Sequence, residues 1–272
     1  MTTRQIATAR ARRLAAAAAL VLALGLAGCN DDNNDTKNPV GPGGSSGSTL
    51  LTGTFTGASE NGRIDLTIQT TNLAHVPGAA KATVIGTAVV NVDAGPTIDL
   101  SGTYDPVTDS LFVTGGGYTL VGKQRMEGFL PAIAGVYVGP NGTGNFEVIV
   151  GSQAEIGVYC GTYLNAALVQ QGRWNFLIFQ NRVIGLHSPA SGGFIRMTGD
   201  ATGTGTTRTL TFTSDPEFGT MTGAGTLNTQ TEHASGTWSS TDDAGTVSGT
   251  WTAEYCENGT GGDLEEHARM AP

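Results

Sequence analysis

Apolar and polar side chains alternate along most of the chain beyond Thr49. In residues 63–69, Ile64, Leu66 and Ile68 share one face while Arg63, Asp65, Thr67 and Gln69 share the other. In residues 246–255, Val247, Gly249, Trp251, Ala253 and Tyr255 oppose Thr246, Ser248, Thr250, Thr252 and Glu254. A period of two is that of a strand with one buried face, and a wet second face is what antiparallel sheets allow. No stretch of the body keeps a 3.6-residue apolar period for long. Turn chemistry separates the alternating runs at Asp105-Pro106, Pro140-Asn141-Gly142, Asp215-Pro216 and Asp242-Asp243-Ala244-Gly245. The pattern predicts an all-β, antiparallel body of short strands.

Glycine sharpens that expectation. Of the 18 aromatic residues, 11 have glycine two positions before them: Phe55, Tyr104, Tyr118, Tyr137, Phe146, Tyr159, Tyr163, Trp174, Phe194, Trp238 and Trp251. With 41 glycines in 272 residues, chance placement gives about three. Positions two apart lie on one face of a strand, so a ring can cover backbone that glycine leaves bare. Glycine also permits the strong curvature a small closed barrel needs.

The pattern then repeats. Gly53-Thr54-Phe55 returns as Gly161-Thr162-Tyr163, and Val84-Ile85-Gly86 as Val183-Ile184-Gly185. Ile98-Asp99-Leu100-Ser101-Gly102 returns as Ile195-Arg196-Met197-Thr198-Gly199, and Gly135-Val136-Tyr137 as Gly236-Thr237-Trp238. Four matches in order imply two tandem units, 49–156 and 157–256. Each has room for seven or eight short strands, the size of a small up-and-down barrel. One larger merged barrel, or a sandwich, is the alternative. The Gly-x-aromatic triplets, such as Gly172-Arg173-Trp174 and Gly249-Thr250-Trp251, resemble those of avidin-like barrels and of barrel domains in surface lipoproteins. The likeness spans about 200 residues without a diagnostic motif, so it assigns no ligand-contacting residue.

Residues 1–28 have the three parts of a secretory signal. Arg4, Arg10, Arg12 and Arg13 open it, Leu14 to Leu26 is an unbroken run of Ala, Leu, Val and Gly, and Ala27-Gly28 precede Cys29. The apolar run is shorter than the roughly 20 residues a spanning helix requires. Leu26-Ala27-Gly28-Cys29 resembles the lipobox of bacterial lipoproteins. That resemblance implies cleavage after Gly28 and a diacylglyceryl group on the Cys29 thiol, with further acylation of the new amino group. Two or more chains anchor stably in a bilayer, whereas one does not. Asn30 rather than Asp after the cysteine points to the outer membrane.

Loss of the leader leaves ten basic against 23 acidic residues, a net charge of −13. Such a body is repelled by nucleic acid and by anionic head groups, and no basic patch offers itself for nucleic-acid binding. Residues 29–48 read as the lipidated cysteine followed by a disordered tether, since Val40 is the one aliphatic side chain in NDDNNDTKNPVGPGGSSGS. Its flexible reach is roughly 25 Å. Residues 257–272 read as a polar tail.

With Cys29 lipidated, Cys160 and Cys256 remain, at the first and last strands of the second unit. In a closed barrel those strands are neighbours, and an exported compartment favours oxidation. A Cα separation of about 4.4–6.8 Å is then expected. His75, His187, His233 and His267 have no partners at metal-ligand spacing and read as surface residues, His187 in a turn. Gly115-Gly116-Gly117 lacks the following helix of a phosphate cradle and reads as a strand bend. Asp65, Asp99, Glu127 and Glu147 are scattered acids, and no nucleophile elbow, P-loop or dinucleotide fingerprint occurs. No enzyme activity, catalytic residue, metal or cofactor is expected. The sequence leaves two functional expectations for this membrane-anchored protein of the cell envelope. One is a module binding a small molecule or glycan, with packed Trp174, Trp238 and Trp251 and no cavity as the observation against it. The other is a structural or protein-interaction role.

Overall fold

The computed structural model describes residues 47–70, 81–90, 95–127, 130–190, 193–214, 220–242 and 245–256. Cys29, most of the tether, His75, His267, the Asp215-Pro216 turn and the polar tail lie outside them. Every regular element among the described residues is a strand. The first eight are β1 (Gly47–Gly57), β2 (Asn61–Thr70), β3 (Ala82–Val90), β4 (Thr97–Asp105), β5 (Ser110–Gly115), β6 (Tyr118–Glu127), β7 (Leu130–Gly139) and β8 (Gly142–Val150). The second eight are β9 (Ile156–Asn165), β10 (Gln170–Phe179), β11 (Arg182–Pro189), β12 (Ile195–Thr202), β13 (Thr207–Ser214), β14 (Thr220–Asn228), β15 (His233–Asp242) and β16 (Gly245–Tyr255). Strand β1 takes in Gly47 and Ser48, two residues that the composition placed in the tether.

Each set of eight is a closed antiparallel barrel in chain order, sealed by β1 against β8 and by β16 against β9. The fold is therefore two up-and-down barrels, not one merged barrel or a sandwich. Closure leaves no unpaired strand edge to be covered. The four sequence matches fall on equivalent strands, β1 with β9, β3 with β11, β4 with β12 and β7 with β15.

The glycine pattern has a cross-strand cause. Tyr163 of β9 faces Gly172 of β10, while Gly161 faces Trp174. Gly135 and Tyr137 of β7 face Phe146 and Gly144 of β8, and Gly236 and Trp238 of β15 face Trp251 and Gly249 of β16. In each pair of strands one ring lies over the facing glycine, Tyr163 over Gly172, Tyr137 over Gly144 and Trp251 over Gly236. A Cβ added at Gly62 would lie 2.5 Å from the Phe55 ring, and one at Gly225 2.4 Å from the Trp251 ring. In these cases the small residue makes room for a ring on another strand, whereas a Cβ at Gly157 would meet the Tyr159 ring two positions along its own strand at 3.0 Å.

Both interiors are filled. Barrel 1 packs Leu51, Phe55, Ile64, Leu66, Val84, Leu100, Leu111, Val113, Leu120, Tyr137, Phe146 and Val148. Barrel 2 packs Tyr159, Tyr163, Trp174, Phe176, Met197, Leu210, Phe212, Met221, Trp238 and Trp251. Trp174 lies 4.6 Å from Phe212 and 4.7 Å from Trp251, ring centre to ring centre. Small eight-stranded barrels are just wide enough for side chains to fill them.

The barrels belong to one compact unit and share a buried seam. Its apolar part joins Ala132 and Ile149 of barrel 1 to Ile156, Val158, Cys160, Leu177, Ile184 and Cys256 on or beside the outer face of barrel 2. Its polar part centres on Asn175, fully buried on β10. The Asn175 amide donates to Thr54 Oγ1 at 2.6 Å and to the Phe55 carbonyl at 2.8 Å, and its oxygen accepts from Asn61 Nδ2 at 2.8 Å. Arg63, also fully buried, donates to Asp65 at 2.7 Å and, across the seam, to the Tyr255 hydroxyl at 2.8 Å. Buried Glu147 sits between Arg125 of its own barrel at 2.7 Å and Arg196 of the other, which approaches both carboxylate oxygens at 3.2 and 3.3 Å. Buried charges persist only when paired in this way. Directional bonds of this kind fix how one barrel sits on the other, which apolar contact alone does not.

Candidate functional site

In each barrel the odd-to-even hairpins gather at one end. At that end of barrel 1 lies a half-open cleft of about 680 Å³, walled by Val90, Pro96, Ile98 and Pro140 and floored by Tyr118 and Asn141. Tight turns shape it. Gly116 and Gly117, at φ of 55° and 86°, close the β5–β6 hairpin in the left-handed conformation, and a Cβ on Gly116 would strike Ile98 at 2.5 Å. The Gly115-Gly116-Gly117 run is thus a hairpin turn rather than a bend within a strand.

Behind the floor lies Glu60. The β1–β2 turn is closed by the Gly57 amide donating to the Glu60 carbonyl at 2.8 Å, and the carboxylate is fully buried. Its Oε2 accepts from the Tyr118 hydroxyl at 2.7 Å and from Asn141 Nδ2 at 3.1 Å. The buried hydroxyl of Tyr137 lies beside the same carboxylate. The Tyr137 ring packs edge-on against Phe55 at 5.0 Å. Burial, reinforced by Glu60, pushes both tyrosines far above their ordinary range, so they remain neutral hydroxyls.

The corresponding end of barrel 2 holds different chemistry. Trp174 faces His187 across β10 and β11, and His187 meets the Tyr163 ring edge-on at 4.4 Å. His187 is 3 % exposed, and neither ring nitrogen has a partner; nor does Trp174 Nε1. Burial pulls His187 down to about 4, so its ring is neutral at physiological pH. The expectation of a surface histidine in a turn is corrected here. Strand β11 continues to Pro189, which pairs with Gly172, and carries His187 inward. His233, at the start of β15, is exposed as expected.

Cys160 and Cys256 form a disulfide with a Cα separation of 5.4 Å. Cys256 follows β16, its amide bonded to the Val158 carbonyl at 2.8 Å, so the bridge closes barrel 2 and packs into the seam at once. The scattered acids do not converge. Asp65 pairs with Arg63, Glu147 with Arg125 and Arg196, Asp99 lines the cleft, and the Glu127 side chain lies outside the described residues. Among the described residues no group of His, Cys, Asp and Glu is arranged to hold a metal ion.

Sequence reasoning passed over Glu60, Asn175 and Arg196. A signal for the seam existed. Trp174-Asn175-Phe176-Leu177-Ile178-Phe179 is apolar on both faces, the mark of a strand covered twice, with Asn175 as the one polar interruption. Glu60 stands in a short turn and carried no such mark. No protein-family model matches the chain, and no curated protein matches it.

Proposed function

We propose that this chain is an exported lipoprotein, anchored through acylated Cys29, whose paired barrels serve as a rigid contact module of the cell envelope rather than as a container. The observation that supports this reading most is the packing of both interiors: Trp174, Trp238 and Trp251 of barrel 2 are 2 %, 7 % and 2 % exposed, and Phe55, Tyr137 and Phe146 of barrel 1 are 2 %, 1 % and 1 % exposed. A barrel that holds a ligand inside keeps space for it. The seam adds stiffness, so outward-facing residues of both barrels hold fixed positions for an envelope protein or a polysaccharide. A lipid bilayer is the partner the lipobox implies, and Asn30 after the cysteine supports outer-membrane placement.

The test has two parts. Cys29→Ser should abolish lipid modification and leave an uncut precursor, and normal processing with unchanged membrane fractionation would refute the anchor. Native mass spectrometry of the mature chain should give the acylated polypeptide with no molecule retained in the barrels. A stoichiometric small molecule surviving purification, together with ligand-dependent tryptophan fluorescence, would overturn the contact-module reading. A ligand- or glycan-binding role is favoured by one specific feature, the cleft at the mouth of barrel 1.

A further inference from the structure

We infer that an exposed apolar row on the outside of barrel 1 rests against the surface of a zwitterionic phospholipid bilayer. This deepens the proposed reading and rests on its acylated Cys29, since it names the face that the anchored body turns to the membrane. Phe112 of β5, Val121 of β6 and Val136 of β7 lie opposite one another across the sheet, and Val138 follows two residues along β7. All four are 46–53 % exposed. The fold does not demand them, because barrel 2 has Thr211, Ala224, Thr237 and Ser239 at the same places. Together they present on the order of 300 Å² of apolar surface, a size at which a patch on a monomer is often functional. A second copy of the chain is a poor occupant, because a stable interface buries about 800 Å² per partner. A bilayer sets no such minimum once the body is tethered to it, since the tether replaces free encounter by an effective concentration in roughly the millimolar range.

Two observations select the bilayer. The row lies on the barrel that the chain enters from Cys29, and Gly47, the first residue of β1, is 18 residues on from that cysteine. Such a length spans at most about 60 Å and a ten-residue strand about 33 Å, so the outer faces of barrel 1 are within reach of the anchoring surface. Two more exposed apolar side chains, Val107 in the β4–β5 turn and Met126 near the end of β6, stand at the end of barrel 1 where β1 begins. The second observation is charge. Exposed Lys123 lies two residues from Val121 on the same face of β6, opposite Ser110 and Ala134. Its stem lies along the row while its ammonium meets a lipid phosphate, and barrel 2 has Thr226 in its place. The net charge of −13 keeps the body off a strongly anionic surface, which makes a zwitterionic one the fitting occupant. Thr103, Thr114, Thr119 and Asn145 border the row and confine the contact to the head-group boundary.

The test places the full mature chain on phosphatidylcholine–phosphatidylethanolamine vesicles that carry a diazirine phospholipid, and maps the photo-adducts by mass spectrometry. Adducts on residues 112–138 should outnumber those on 211–239, the equivalent stretch of barrel 2, by about fivefold or more. The triple variant Phe112→Thr, Val121→Ala and Val136→Thr copies barrel 2 and should bring labelling down to the barrel 2 level, with acylation and vesicle capture unchanged. Lys123→Glu keeps the row and should lower labelling by about twofold or more, which carries the test should the triple variant fail to fold. A chain that bears no acyl group refutes the anchor alone, and saturating vesicles then decide the face by the same ratio. Equal labelling of the two stretches, or labelling that a folded variant leaves unchanged, would overturn the proposal. So would a lipid-free dimer in sedimentation that the triple variant dissociates, which would give the row to a second copy.

Discussion

The two barrels share a frame and differ in what fills its open end. In both, interior rings lie over glycines of the next strand, and the equivalent strands keep the same pairing order. At the mouth, barrel 1 holds a carboxylate held by Tyr118 and Asn141, whereas barrel 2 holds Trp174 and His187. Ala88 of β3 stands where β11 has His187, by the match of Val84-Ile85-Gly86 to Val183-Ile184-Gly185. The outer faces diverge as well. Phe112, Val121 and Val136 form an exposed apolar row across β5, β6 and β7, and Thr211, Ala224 and Thr237 occupy the same row across β13, β14 and β15. Steric complementarity of ring and glycine fixes the frame, because a Cβ there meets backbone or ring at contact distances no side chain tolerates. Mouth and outer face are free of that constraint, so the barrels differ there.

The seam is where the comparison is easiest to break. Reducing the Cys160–Cys256 bridge, which spans 96 residues, should lower stability by about 4 kcal/mol. Because both cysteines pack beside Ile149 and Ala132, urea melts should show barrel 1 weakened along with barrel 2. Glu147→Ala removes the buried carboxylate that Arg125 and Arg196 share across the seam, and a loss of about 3 kcal/mol is expected in the same melts. Acid should then separate the barrels by kind. The folded-state pKa of His187 lies below its ordinary value of 6.5, so its contribution is complete above that pH and declines as pH falls toward about 4. The decline should reach about 3 kcal/mol, and His187→Ala, which copies barrel 1, should abolish that part of the pH dependence. Asn175→Ala leaves Asn61 and the Phe55 carbonyl without their partner and should lower stability by about 2 kcal/mol. The smallest effect belongs to Phe112→Thr, which copies barrel 2 on an exposed face and should change stability by less than about 0.5 kcal/mol.

Strand periodicity, the duplication and the disulfide were legible because each rests on local spacing or on the closure of a repeated unit. The glycine rule was legible as a statistic, yet its cause was not, because Tyr163 and Gly172 become neighbours only once β9 and β10 pair. His187 was misread because Ser188, Pro189 and Ala190 look like a turn, whereas proline is tolerated at a strand end where its missing donor goes unused. Glu147 gave no sign of its role, and the signal at Asn175 named no partner, since the partners lie 49 residues away at Arg196 and 114 away at Asn61. Buried polar groups are decided by which surfaces meet, and that information is not in any single strand.

Scanning calorimetry of the oxidised mature chain tests most directly whether two closed barrels are joined into one body. The seam predicts a single transition whose calorimetric and van't Hoff enthalpies agree, despite two complete barrels, and a midpoint that falls as one when Glu147 is replaced. Two resolved transitions, or a calorimetric enthalpy about twice the van't Hoff value, would contradict it and leave the barrels as independent units on a common chain.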